Sequence, residues 1–121
     1  MLGRVFDWWR ESRQWRHDHL STFATMGEIE GNGLTTFQNQ CLNSVSTYLP
    51  ASSFERIICK DNTVHLKAPI GNIGAQLFIY ETEAGMHGPS QDRFFEQWDF
   101  RTPADLIAAV TTTLKALLPS P

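Results

Sequence analysis

The hydrophobic period of this chain changes twice, and that pattern restricts the folds open to it. Up to Pro50 apolar residues recur at helical spacing, from Ser53 to Phe100 they alternate, and from Thr102 the helical spacing returns. Strands grouped between helices, with connections too short for crossovers, specify an α+β domain with an antiparallel sheet rather than a parallel α/β fold. A length of 121 residues suits one domain, so residues 1–121 are taken as a single unit. The expected order is α-α-β-β-β-β-α: a four-stranded antiparallel sheet with two N-terminal helices and one C-terminal helix.

The first helix is expected from Leu2 to about Phe23, where Val5, Trp8, Trp9, Trp15, His19, Leu20 and Phe23 fall near helical spacing. Tryptophan mixed with arginine suits an interfacial membrane helix or a nucleic-acid contact. The acids Glu11 and Asp18 favour instead a helix that packs its tryptophans inward and leaves Arg10, Arg13 and Arg16 solvated. A glycine-rich loop follows at 26–33, and Phe37, Cys41, Leu42, Val45, Tyr48 and Leu49 mark a second amphipathic helix. Thr35 or Thr36 can cap it, and Pro50 ends it at Leu49.

Phe54 to Lys60 and Thr63 to Ala68 flank Asp61-Asn62, a pair that tolerates a left-handed turn, and so form a hairpin. Ala75 to Tyr80 carries apolar groups on both faces, as a central strand does. Glu83 to Asp92 is expected as a loop, and Phe94 to Phe100 as the fourth strand. Thr102-Pro103-Ala104-Asp105 then combines a cap, a proline at the first helical position and an acid near the positive helix end. The helix it opens has Leu106, Ile107, Val110, Leu114, Leu117 and Leu118 as its buried stripe, and Pro119 ends it.

Ten Lys and Arg against thirteen Asp and Glu give a net charge of −3, unlike the basic footprint of a dedicated nucleic-acid binder. Arg4, Arg10, Arg13 and Arg16 with Asp7, Glu11 and Asp18 account for four and three of these, leaving six basic and ten acidic groups in the remainder. A basic partner is therefore electrostatically favoured. Two cysteines, Cys41 and Cys59, are too few for a disulfide framework and are read as reduced core thiols. Neither a signal-peptide apolar region nor a membrane-length apolar run occurs, so a cytoplasmic protein without membrane contact is expected.

Candidate chemistry is sparse. Glu28 to Gly33 imitates the opening of a calcium loop, but its twelfth position is Asn39, which cannot supply the bidentate carboxylate. His17 and His19 diverge on a helix, and His65, His87, Cys41 and Cys59 lack metal-site spacing, so no metal or cofactor is expected. There is no nucleophile elbow or phosphate loop. The informative feature is a strip of acids, Glu81, Glu83, Asp92, Glu96 and Asp99, around the third and fourth expected strands. It is either a solvated polar face or a docking surface for a basic partner, with Met86, His87 and Pro89 in the adjoining loop adding adaptable contacts.

Leu77-Phe78-Ile79-Tyr80-Glu81-Thr82-Glu83-Ala84-Gly85, followed by Phe94-Phe95-Glu96-Gln97-Trp98-Asp99-Phe100 and Thr102-Pro103-Ala104-Asp105-Leu106-Ile107, resembles small immunity proteins of bacterial toxin systems over about residues 75–118. The resemblance implies a cytoplasmic, non-catalytic protein that neutralises one cognate toxin domain, often a basic nuclease, delivered by contact-dependent or type VI secretion. It implies a monomer or weak homodimer that contacts the toxin and not nucleic acid directly. Two alternatives stay open: a small enzyme using His65 or His87 with nearby carboxylates, and a secretion chaperone, expected to show a symmetric dimer and an apolar groove.

Overall fold

The computed structural model describes residues 22–90 and 92–118. The chain is an α+β domain with a five-stranded antiparallel sheet in the order β1-β2-β3-β4-β5 and a C-terminal helix. The elements are α1 (Thr36–Val45), β1 (Glu55–Ile58), β2 (Val64–Ile70), β3 (Ala75–Ile79), β4 (Ala84–His87), β5 (Asp92–Phe95) and α2 (Pro103–Leu117). Of the first expected helix only its end is described: residues 22–26 are helical and Phe23 is buried. Its tryptophans and the His17–His19 pair lie outside the described residues.

α1 and α2 begin where local chemistry satisfies their free amides. At α1 the Thr35 hydroxyl accepts from the Gln38 amide at 3.1 Å while the Gln38 side chain accepts from the Thr35 amide at 2.9 Å, a reciprocal capping box. The same two side chains tie α1 to the sheet. Gln38 donates through Nε2 to the carbonyls of Val64 and Ile79, at 2.6 and 3.2 Å, and Thr35 donates to the carbonyl of Glu81 at 2.6 Å. Both residues are buried, so these bonds replace water that the polar groups have lost. The helix ends at Val45, four residues before the expected stop, and turns carry the chain to Pro50.

At α2 the Thr102 hydroxyl accepts from the Asp105 amide at 3.1 Å, with Pro103 in the first turn as expected. Leu106, Ile107, Val110 and Leu114 are buried, whereas Leu117 is exposed and Leu118, past the helix end, is half-buried against the core. A 2.8 Å hydrogen bond between the Ser44 and Thr111 hydroxyls joins the two helices.

The sheet has one more strand than expected. Ala84-Gly85-Met86-His87, assigned to a loop, is β4, which pairs with β3 and β5. Its short, small residues and central glycine carry little strand propensity, and partners on both sides override that. Gly85 stands in register between Phe78 and Phe94, and a Cβ there would meet the Phe94 ring at 3.2 Å. The last strand is also shorter than expected. It stops at Phe95, and residues Gln97–Asp99 form a 3-10 turn.

Elsewhere the turn chemistry holds. Asn62 adopts a left-handed conformation at φ 67°, although the turn it serves runs from Cys59 to Thr63. Pro69 sits inside β2 because β1 pairs only with Val64 to Lys67, so no neighbour on that side needs its missing amide hydrogen. The residues imitating a calcium loop form a tight turn in which Asn39 donates to Glu30 and Asn32.

Leu66, Ala68, Ile70, Ala75, Leu77, Ile79, Ala84, Met86 and Phe95 share one face of the sheet and form the core with Phe37, Cys41, Val45 and the buried stripe of α2. The alternate residues turn to the second face.

Candidate functional site

The strand register determines what the second face displays. Glu55, Lys67, Phe78, Gly85 and Phe94 form one row across the five strands, and Pro69, Gln76, His87 and Asp92 form the row beside it. On the other side Ile57 opposes His65, and one residue beyond the Leu66–Ile79, Ile79–Ala84 and Ala84–Phe95 pairs Tyr80, Glu83 and Glu96 continue that row.

Aromatic contacts make these rows a continuous strip. His65 and Tyr80 meet edge-on at 4.8 Å, Tyr80 stacks with Phe78 at 6.1 Å, and His87 meets Phe78 at 4.8 Å and Phe94 at 5.1 Å. Lys67 reaches over the Phe78 ring at 5.9 Å. The strip remains accessible: Phe94 is 55% exposed. The Tyr80 hydroxyl lies 3.4 Å from Nε2 of His87, whose Nδ1 lies 3.4 Å from an Asp92 carboxylate oxygen.

Acids border the strip. Burial raises the Glu83 carboxyl above its ordinary pKa, and the neighbouring Glu96 charge raises it further. Burial, and then the Glu83 charge, likewise hold the Tyr80 hydroxyl above its usual value. Glu83, held at a cost beside the Glu96 charge, is electrostatically prepared for a cation from elsewhere.

The expected site residues are only partly brought together. Glu83, His87, Asp92 and Glu96 share the second face. Glu81 is half-buried in the β3–β4 turn, where its carbonyl is held by Thr35. Met86 is buried on the helix side because it is one residue out of phase with His87, so it does not join those carboxylates. Asp99 is exposed in the 3-10 turn, beyond the end of β5. Phe78, Tyr80 and Phe94 lie outside the expected site residues, and His65 was expected only under the enzyme alternative, although alternation with core residues places all four on the face opposite Leu66, Leu77 and Ile79.

Two groupings contain residue types used in catalysis. Cys59 is half-exposed rather than a core thiol, and its sulfur lies 3.5 and 3.8 Å from the two nitrogens of His65. Near-equal distances set the sulfur against the ring rather than in line with one nitrogen, a packing contact instead of a nucleophile–base hydrogen bond. The Tyr80–His87–Asp92 sequence has the order of a proton relay, but the raised Tyr80 pKa opposes phenolate formation and Asp92 is 55% exposed. His65, Tyr80 and residues 81–83 line a shallow depression of about 250 Å3. Among the described residues no group of three or more His, Cys, Asp or Glu could hold a metal ion, and no helix is long and apolar enough to cross a membrane. No protein-family model, curated protein or solved structure matches the chain.

Proposed function

We propose that this protein is a non-catalytic, cytoplasmic immunity protein that binds a cognate bacterial toxin domain through the second face of its sheet. The observation that carries the proposal is the accessible ring strip of Tyr80, Phe78, His87 and Phe94, bordered by Glu83, Asp92 and Glu96 on one rigid sheet. Aromatic side chains supply apolar contact area at little entropic cost, and an acidic border speeds encounter with a basic partner and orients it. A basic nuclease fits this surface, because the groove that holds its nucleic acid presents the complementary charge. Direct nucleic-acid binding by the same face is opposed by its carboxylates.

The test is neutralisation. The candidate toxin domain, taken from the protein encoded beside this one, is expressed in a bacterial host with and without this chain. Restored growth together with a one-to-one complex on copurification is expected. Unrelieved toxicity with folded, abundant chain contradicts the proposal. The enzyme alternative draws only on the thiol–imidazole contact and the exposed Tyr80–His87–Asp92 sequence. The chaperone alternative requires a symmetric dimer together with an exposed apolar groove, and sedimentation equilibrium of the isolated protein tests the dimer.

A further inference from the structure

A groove of about 620 Å3 opens on the helix side of the sheet, between the second half of α2 and the ends of β3, β4 and β5. Ile73, Met86 and Leu117 form apolar walls, and Arg93, Thr112 and Thr113 supply polar groups. Ile73 and Leu117 are each 41% exposed, an arrangement that leaves large apolar side chains in water when the groove is empty. Its size lies within the range of about 300–1,000 Å3 typical of small-molecule sites.

A solvent-exposed cation, Arg93, stands at its edge. Arg93 lies over the Phe95 ring at 5.1 Å, and among the described residues it has no carboxylate partner. Nor do the Thr112 and Thr113 hydroxyls make a hydrogen bond among the described residues, whereas Thr111 bonds to the Ile107 carbonyl. An exposed guanidinium with no carboxylate partner among the described residues, at the edge of apolar walls that also carry the Thr112 and Thr113 hydroxyls, is complementary to an apolar molecule ending in an anion. The C-terminal end of α2 carries partial negative charge, so the anionic head belongs at Arg93 and the apolar chain towards Leu117.

We propose that this groove binds a small amphipathic carboxylate, with Arg93 holding the head group and Ile73, Met86 and Leu117 covering the chain. The site is separate from the docking face and does not depend on it. Decanoate, decanol and decyltrimethylammonium, each below its micelle concentration, are titrated into the full chain while backbone amide signals are followed by NMR. Decanoate is expected to saturate and to move the signals of Met86, Arg93 and Thr112, while the other two bind more weakly. R93Q should weaken decanoate about ten-fold, to the level of decanol, with R93K retaining most of the affinity. A116W should fill the groove and weaken all three ligands. Absence of saturable decanoate binding, shifts confined to the second face, or equal binding of the three head groups overturns the proposal. That head-group series on the native chain decides the matter even if a variant fails to fold.

Discussion

The two faces of the sheet come from the same strands and follow opposite rules. On the helix side Leu66, Leu77, Ile79 and Phe95 are almost wholly buried and aliphatic residues dominate. On the second side the alternate positions are His65, Phe78, Tyr80, His87 and Phe94, half-buried or exposed, with Glu83 raised in pKa beside Glu96. The first face contributes most of the stability. The second retains accessible rings and adjacent like charges, which stability alone does not favour.

Thiol reactivity should separate the two environments most widely. Cys41 is fully buried and its pKa is pushed up to about 12, whereas Cys59 is half-exposed beside His65. An aromatic disulfide reagent should modify Cys59 at least about a thousand-fold faster than Cys41, which reacts only through opening of the core. C59S should remove the fast phase. Equal rates for the two thiols would break the comparison.

Neighbouring truncations on β3 come next. Leu77→Ala should cost about 3 kcal/mol in urea unfolding, because it leaves a cavity in the core. Phe78→Ala, one residue away, should cost only about 1 kcal/mol despite deleting a larger side chain. Similar losses would mean that the second face is as structural as the first.

Gln38→Ala tests the joint between α1 and the sheet. It removes the partners of the Val64 and Ile79 carbonyls and of the Thr35 amide, and should destabilise by about 2 kcal/mol. Retention of full stability would show that water replaces the side chain.

The smallest effect has the opposite sign. Between its ordinary pKa near 4.5 and its raised folded value, Glu83 keeps in the native state a proton that the unfolded state has released. Stability therefore falls as pH rises through that window and remains lowered above it. Glu83→Gln should gain a few tenths of a kcal/mol at pH 7, kept small by solvent screening, and nothing below pH about 4. A loss of stability at pH 7 would remove the evidence that this carboxylate is held at a cost.

Much of the fold was legible in residues whose chemistry is local. Thr102, Pro103 and Asp105 set the start of α2, Asn62 supplied the left-handed turn, and the alternation of Ala75, Leu77 and Ile79 gave the central strand. β4 was not legible, since Ala84-Gly85-Met86-His87 becomes a strand through its neighbours and Gly85 lies close under the Phe94 ring, which a Cβ would meet at 3.2 Å. Missing that strand hid the parity that sends Met86 inward and His87 outward. Of the candidate site, the carboxylates Glu83, Asp92 and Glu96 were readable as a strip. The rings between them were not, because their significance lies in cross-strand register.

The most direct test of the proposed docking face is the association rate with the candidate toxin domain, measured for the native chain and for E83Q/D92N/E96Q. The three carboxylates are predicted to raise that rate, so the variant should associate at least about ten-fold more slowly at low salt and show a flatter dependence on ionic strength. Association at the native rate, with the native salt dependence, by a folded variant would contradict the assignment of this face as the site of contact.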